Sequence, residues 1–97
     1  MPYQEATSLP DTHIKSGGTK VMNERTVLKG ILDKHALKAG SYGKLTVLKG
    51  SLDFQWEDTM TIISADAEHP IIIPPERLHK VIITQPVEFH VDFYREA

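Results

Sequence analysis

The residue whose surroundings most clearly suggest chemistry is His79, which opens an apolar segment just after a double proline. Pro74 and Pro75 end the isoleucine run of residues 71–73 and turn the chain, because proline fixes φ and lacks a backbone N–H donor. The imidazole that follows is therefore oriented by a rigid corner and not by a flexible loop. A histidine held in this way is a candidate ligand at the mouth of a cavity.

Length and composition exclude several classes of protein. The 97 residues are enough for one domain with its own core, and the absence of cysteine rules out disulfides, thiolate metal sites and a cysteine nucleophile. A net charge of −2, with acidic and basic residues interspersed, argues against a nucleic-acid partner. No apolar run approaches the roughly 20 residues of a membrane span, and no signal peptide is evident. We therefore expect a cytoplasmic protein that binds neither nucleic acid nor membrane.

Turn residues and alternating apolar residues predict an all-β domain. Residues 26–32 form one predicted strand with a bend at Gly30, and residues 44–56 form a predicted hairpin with its turn at Lys49 and Gly50. In the second half of that hairpin Leu52, Phe54 and Trp56 alternate with polar residues and are predicted core. Further strands are expected around residues 59–65, 71–73, 81–83 and 87–94. Seven or eight short strands favour a single-domain jelly-roll β-barrel over residues 21–97, preceded by an extended or partly disordered segment, residues 1–20.

Three segments resemble the cupin superfamily, and more narrowly its small YeaR-like, tellurite-resistance protein B-like members. They are residues 35–50, the PPERLH of residues 74–79 and the FHVDFY of residues 89–94. The middle segment fits the cupin motif Pro-x-Gly-x-x-His, except that Glu76 occupies the glycine position. Gly50 matches the glycine that ends the first cupin motif. The resemblance covers nearly the whole chain and implies a cupin-like barrel.

The resemblance also implies a metal site inside the barrel. The His-x-His and glutamate of typical metal cupins are missing after His35, so His35 and His79 are the ligands that remain. A protein-bound transition metal generally takes three or more donors, and Glu76 is the predicted third, because the turn can fold its carboxylate back beside the His79 imidazole. The predicted metal is zinc, iron or nickel. His90 and Asp92, which share one face of the last strand, are outer candidates.

Two classes of function stay open. In the first, the domain is a small cupin that binds a divalent metal and a small molecule, in a stress response associated with tellurite resistance, either as a binding protein or as an enzyme. In the second, it is a non-catalytic dimeric β-barrel that acts as an interaction module without a functional metal. Some longer relatives carry a methyltransferase domain, but these residues contain no glycine-rich strand–turn–helix segment, so methyl transfer is not expected of them.

The chain termini predict a homodimer. The polar N-terminal segment has extended-prone residues 12–14, and the last strand is apolar on one face and polar on the other. Pairing of strand edges across a two-fold axis would cover edges that otherwise template aggregation.

Overall fold

A computed structural model describes residues 3–4 and 8–96 and shows seven β-strands and one helical turn. The pairings between these strands are all antiparallel, which confirms the all-β class. In chain order the elements are β1 (His13–Gly18), β2 (Met22–Asn23), α1 (Lys29–Leu32), β3 (Ser41–Trp56), β4 (Thr61–Asp66), β5 (Ile71–Ile73), β6 (His79–Ile82) and β7 (Val87–Glu96).

The long strand β3 belongs to both halves of the fold. Up to Gly50 it pairs with β5 and β7, and from Ser51 onward it pairs with β4 and β6. Gly50 has φ of 76°, and a Cβ added at this residue would collide with the Pro86 carbonyl oxygen. A side chain is disfavoured at such a φ, so glycine lets the strand bend here without ending. The predicted hairpin over residues 44–56 is therefore wrong, because its glycine bends one strand and does not reverse the chain.

The strands form an open sheet and do not close into the expected barrel. The order along the sheet is β1–β7–β3–β4, with β2 beside β7 and with β5 and β6 beside β3. Inward-facing residues alternate along β3 and β7 and meet in one core between the two halves. The predicted core residues Leu52, Phe54 and Trp56 are all buried there.

The predicted strand over residues 26–32 is also wrong, since a turn and α1 replace it. The side-chain oxygen of Asn23 accepts hydrogen bonds from the backbone N–H groups of Arg25 and Thr26, at 2.8 and 3.0 Å. This local hydrogen bonding competes with a strand and turns the chain at the end of β2. The chain then runs across the open side of the core, where Val27 and Ile31 pack against it.

Part of the predicted N-terminal segment, residues 1–20, belongs to the sheet. Strand β1 pairs with β7 of the same chain. The side-chain amide of Gln4 donates to the Ile72 carbonyl and accepts from the Ile72 N–H, both at 2.8 Å, as a neighbouring strand would. Residues 1, 2 and 5–7 of this segment lie outside the described residues. Among those described, no helix is long and apolar enough to span a bilayer.

Replacing Gly50 by alanine should lower the free energy of unfolding by about 2–3 kcal/mol. The new Cβ would meet the Pro86 carbonyl, and the left-handed backbone disfavours any side chain. Gly30 is the matched control, because an added Cβ there meets nothing within 4 Å and alanine favours the helical turn. Gly30→Ala should raise stability by about 0.5–1 kcal/mol. Urea denaturation measures both, and equal stabilities for the two variants would contradict the bent-strand description.

Candidate functional site

His35 and His79 are joined by two backbone hydrogen bonds, although they come from distant parts of the chain. The His35 N–H donates to the His79 carbonyl at 2.9 Å, and the His79 N–H donates to the His35 carbonyl at 2.8 Å. The corner before β6 is also tied to this segment, since the Glu76 N–H donates to the Leu37 carbonyl at 2.8 Å. These bonds place the two imidazole rings side by side, with centroids 4.2 Å apart.

One kind of contact orients both rings. Nδ1 of His79 lies 2.8 Å from the Arg77 carbonyl oxygen, and Nδ1 of His35 lies 2.9 Å from the Asp33 carbonyl oxygen. A carbonyl oxygen can only accept, so each Nδ1 carries the hydrogen, and Nε2 of the neutral ring is left as an acceptor. Among the described residues none donates a hydrogen bond to either Nε2. Each Nε2 therefore keeps its acceptor capacity for a molecule bound beside the ring.

Both rings line an apolar cavity of about 240 Å³ between the two halves of the fold. Of the described residues in its wall, Thr19 is the one other polar residue, and its hydroxyl oxygen accepts from the Val91 N–H at 3.0 Å. Of the described residues that line the cavity, none has an ammonium, guanidinium or carboxylate group. The lining residues are Thr19, Leu28, Ile31, His35, Leu37, Leu45, Phe54, Ile73, His79, Val81, Val91 and Phe93.

His79 is the inner member of the pair. It is 1% exposed, and its ring stacks on Phe54 with centroids 5.0 Å apart, while the Trp56 ring lies edge-on at 6.0 Å. Burial lowers the pKa of His79 to about 4, against a smaller opposing effect of the hydrogen bond to the Arg77 carbonyl. His79 is therefore neutral at pH 7, and its ring can accept a hydrogen bond but does not act as a cation.

The outer wall of the cavity is the least regular part of the fold. It includes Leu28, which is 59% exposed, and Ile31 in the four-residue turn α1. No side chain caps this turn, and none of its residues is buried. Short uncapped helices are weakly stable, and elements with few buried contacts open locally at low free energy. The segment around α1 is therefore the part of the cavity wall that we expect to open at the lowest free energy.

Glu76 lies apart from the two histidines. It is exposed, lies in a separate surface depression with Lys34 and Arg77, and has φ of 61°. Glu76 occupies the position where the resemblance to the cupin motif expects glycine, and its left-handed backbone is a conformation that favours glycine. Among the described residues no three histidine, aspartate or glutamate side chains come together as a metal site. Of the three predicted ligands, His35 and His79 therefore lie side by side, and Glu76 lies apart from them.

The outer candidates His90 and Asp92 are not part of the cavity wall. Both lie on the face of β7 opposite to its buried residues. The Asp92 carboxylate pairs with Lys15 at 3.3 Å and lies 3.5 Å from Nδ1 of His90. The Lys15–Asp92 pair ties β1 to β7, whereas the His90–Asp92 contact lies within β7.

Sequence reasoning missed most of the cavity wall. Thr19 lies in the segment expected to be extended or partly disordered, and Leu28 and Ile31 lie in the predicted strand over residues 26–32. Leu28 and Ile31 reach the cavity because the chain turns at Asn23. The alternation on β7 could have indicated Val91 as inward-facing. The contribution of Thr19 depends on long-range hydrogen bonds that no local pattern reveals.

The burial of His79 predicts a loss of stability in mild acid. Its pKa is about 4 in the folded protein and 6.5 without the fold, so below pH 6.5 the unfolded chain binds a proton that the folded chain refuses. The free energy of unfolding should therefore fall by about 2 kcal/mol between pH 6.5 and pH 4. His79→Asn keeps an N–H for the Arg77 carbonyl but cannot titrate. Urea denaturation across this range should give a shallower pH dependence for the variant, and identical slopes would contradict the assignment.

Comparisons with known proteins place the chain in a family. A family model described as TehB-like domain matches residues 18–91. The uncharacterized protein YeaR of Escherichia coli K12 is 26% identical over 96 residues, which cover 89% of this chain and 81% of YeaR.

Two crystal structures have similar folds. One, of a protein from Escherichia coli K12, has a TM-score of 0.82 at 24% identity and covers 95% of this chain and 99% of that one. The other, of TehB from Haemophilus influenzae, has a TM-score of 0.80 at 27% identity over 89% of this chain, but this covers only 32% of TehB. The family match spans well over half of the sequence, and the chain is therefore a member of the TehB-like domain family.

Proposed function

We propose that this domain binds a small organic molecule in the cavity beside His35 and His79. The observation that carries the proposal is an apolar space of about 240 Å³ whose wall holds two imidazoles with acceptor nitrogens. An apolar cavity of about 150 Å³ is enough to bind benzene, so the space suits a molecule of about one ring. Apolar lining with a few placed polar groups is typical of small-molecule sites.

The cavity does not favour an oxyanion such as tellurite as its direct ligand. Apart from the two histidines, none of the lining residues within 3–4 and 8–96 is basic, and the low pKa of His79 keeps its ring neutral at pH 7. A buried anion without a cationic partner is costly. The stress-response association that the sequence resemblance implies would therefore act through a neutral molecule.

The cupin relationship is supported by the left-handed Glu76 at the motif's glycine position and by the two histidines.

Filling the cavity should abolish this binding. In Val81→Phe the added ring would occupy the space beside His79, since both residues face the cavity from β6. Isothermal titration calorimetry with toluene should show saturable binding by the wild type and none by Val81→Phe. Val21→Phe is the matched control, because it adds the same ring at a residue that is 53% exposed and outside the wall. Equal toluene affinity in Val81→Phe would place the binding elsewhere.

A second candidate function is binding of a divalent transition metal by His35 and His79. The specific observation is the pair of Nδ1 contacts to backbone carbonyls, because metal-binding histidines commonly donate their other ring N–H in this way. Two imidazoles are fewer donors than such metals usually take, so further ligands would have to come from solvent or from the bound molecule. The non-catalytic dimeric module stays a further alternative, and two-fold association stays a prediction.

Metal binding is tested by elemental analysis of untagged protein loaded with Zn²⁺ or Ni²⁺ and then dialysed. We expect about one metal ion per chain in the wild type and background levels in the double variant His35→Asn, His79→Asn. Glu76→Gln should retain the metal, because Glu76 lies outside the cavity wall. A loss of metal in Glu76→Gln would return Glu76 to the ligand set, and an empty wild type would end the metal hypothesis.

A further inference from the structure

The polar groups of the cavity wall are strongly biased toward hydrogen-bond acceptors. In the neutral ring His35 and His79 each present Nε2 as an acceptor, since each Nδ1 hydrogen is held by a backbone carbonyl. Thr19 holds the remaining side-chain hydroxyl, and its oxygen already accepts from the Val91 N–H. The remaining lining side chains are aliphatic or aromatic. A bound molecule that offers only acceptors would therefore leave both imidazoles without a partner.

The cavity wall also disfavours organic ligands that carry a charge. The described residues that line the cavity include no carboxylate for a cationic ligand and no lysine or arginine for an anionic one. Transferring an ion into such surroundings costs far more than transferring a neutral group. Near Phe54 and His79 the wall is also closely packed with aromatic rings, which leaves little room for the hydration shell of an ion.

We infer that the molecule bound in this cavity is uncharged, has an apolar body of about one ring, and donates at least one O–H or N–H hydrogen bond to Nε2 of His79 or His35. This inference rests on the proposed function and adds the chemical class of the ligand. The two ring centroids are 4.2 Å apart, and a group with two hydrogens, such as a neutral amine or amide, has one donor for each Nε2.

Four one-ring probes separate the contributions: phenol and aniline, which are neutral donors, toluene, which has no donor, and benzoate, which is an anion. At pH 7.5, isothermal titration calorimetry should show phenol and aniline binding about fivefold to tenfold more tightly than toluene, as one added hydrogen bond would give. Benzoate should show no binding. Toluene serves as the measure of cavity binding itself.

The acceptor nitrogens are tested by His35→Asn and His79→Asn, in which the asparagine amide can still donate to the carbonyl that held Nδ1. The preference for phenol over toluene should fall toward one in at least one of these variants, while toluene affinity stays within about twofold. His90→Asn, on the outer face of β7, is the matched control and should keep the full preference.

A measurement on the wild type covers the case in which a variant fails to fold. The ¹⁵N resonance of Nε2 of His79 or His35 should shift on addition of phenol, beyond any shift caused by toluene, because only phenol donates to it. If toluene binds as tightly as phenol, or benzoate binds best, the inferred ligand class is wrong while the cavity remains a binding site. If no probe binds, the proposed function fails and the inference fails with it.

Discussion

The bend of β3 at Gly50 is the constraint on which the rest of the structure depends. One strand supplies the pairing partners of both halves of the fold, so the direction it takes after Gly50 determines where β4 and β6 lie relative to β5 and β7. The hydrophobic core and the cavity both lie between these two halves. Strands that pass from one sheet to another commonly do so through such a local bend.

The cavity wall combines few polar groups with tight control of their orientation. Each imidazole is held from behind by a backbone carbonyl two residues earlier in the chain, and the two residues hold each other through their backbones. The position of the ring proton is thus set by the main chain and does not depend on another side chain. This arrangement gives defined acceptors within an apolar wall without placing a carboxylate there, which would have changed the charge that the space accepts.

The sequence predicts the parts of the structure that local interactions determine. It does not predict the parts that depend on contacts between distant residues. The alternation of Leu52, Phe54 and Trp56 predicted their burial, because period-two burial is a local property of a strand. Gly50 was recognised as a break, but whether a glycine bends or reverses a strand depends on its contact with Pro86, which is distant in the chain. Residues 26–32 were assigned by β propensity, whereas the Asn23 side chain decided their conformation.

The candidate site also has residues that the sequence identifies and residues that it places wrongly. His79 was identifiable from the proline corner, and His35 only from a family resemblance, since their backbone pairing joins distant segments. Glu76 was expected beside His79 because three residues separate them. Its left-handed backbone and the bond from its N–H to Leu37 instead leave its side chain on the surface. Residues that are close in sequence need not have neighbouring side chains, because the local backbone conformation decides where each side chain points.

The side chain of Gln4 has a consequence for how copies of this chain can meet. By donating to and accepting from Ile72, one amide satisfies the edge of β5 at that residue much as a passing strand would. An incoming strand could add at this point only after Gln4 withdrew. The sheet order leaves β1 at one end and β4 at the other, with Tyr3 bridged to Ser64 beside β4. Tyr3 and Gln4 thus cover part of the edges of β4 and β5, and within the described part of the chain β1 is the sheet edge more open to contact between copies.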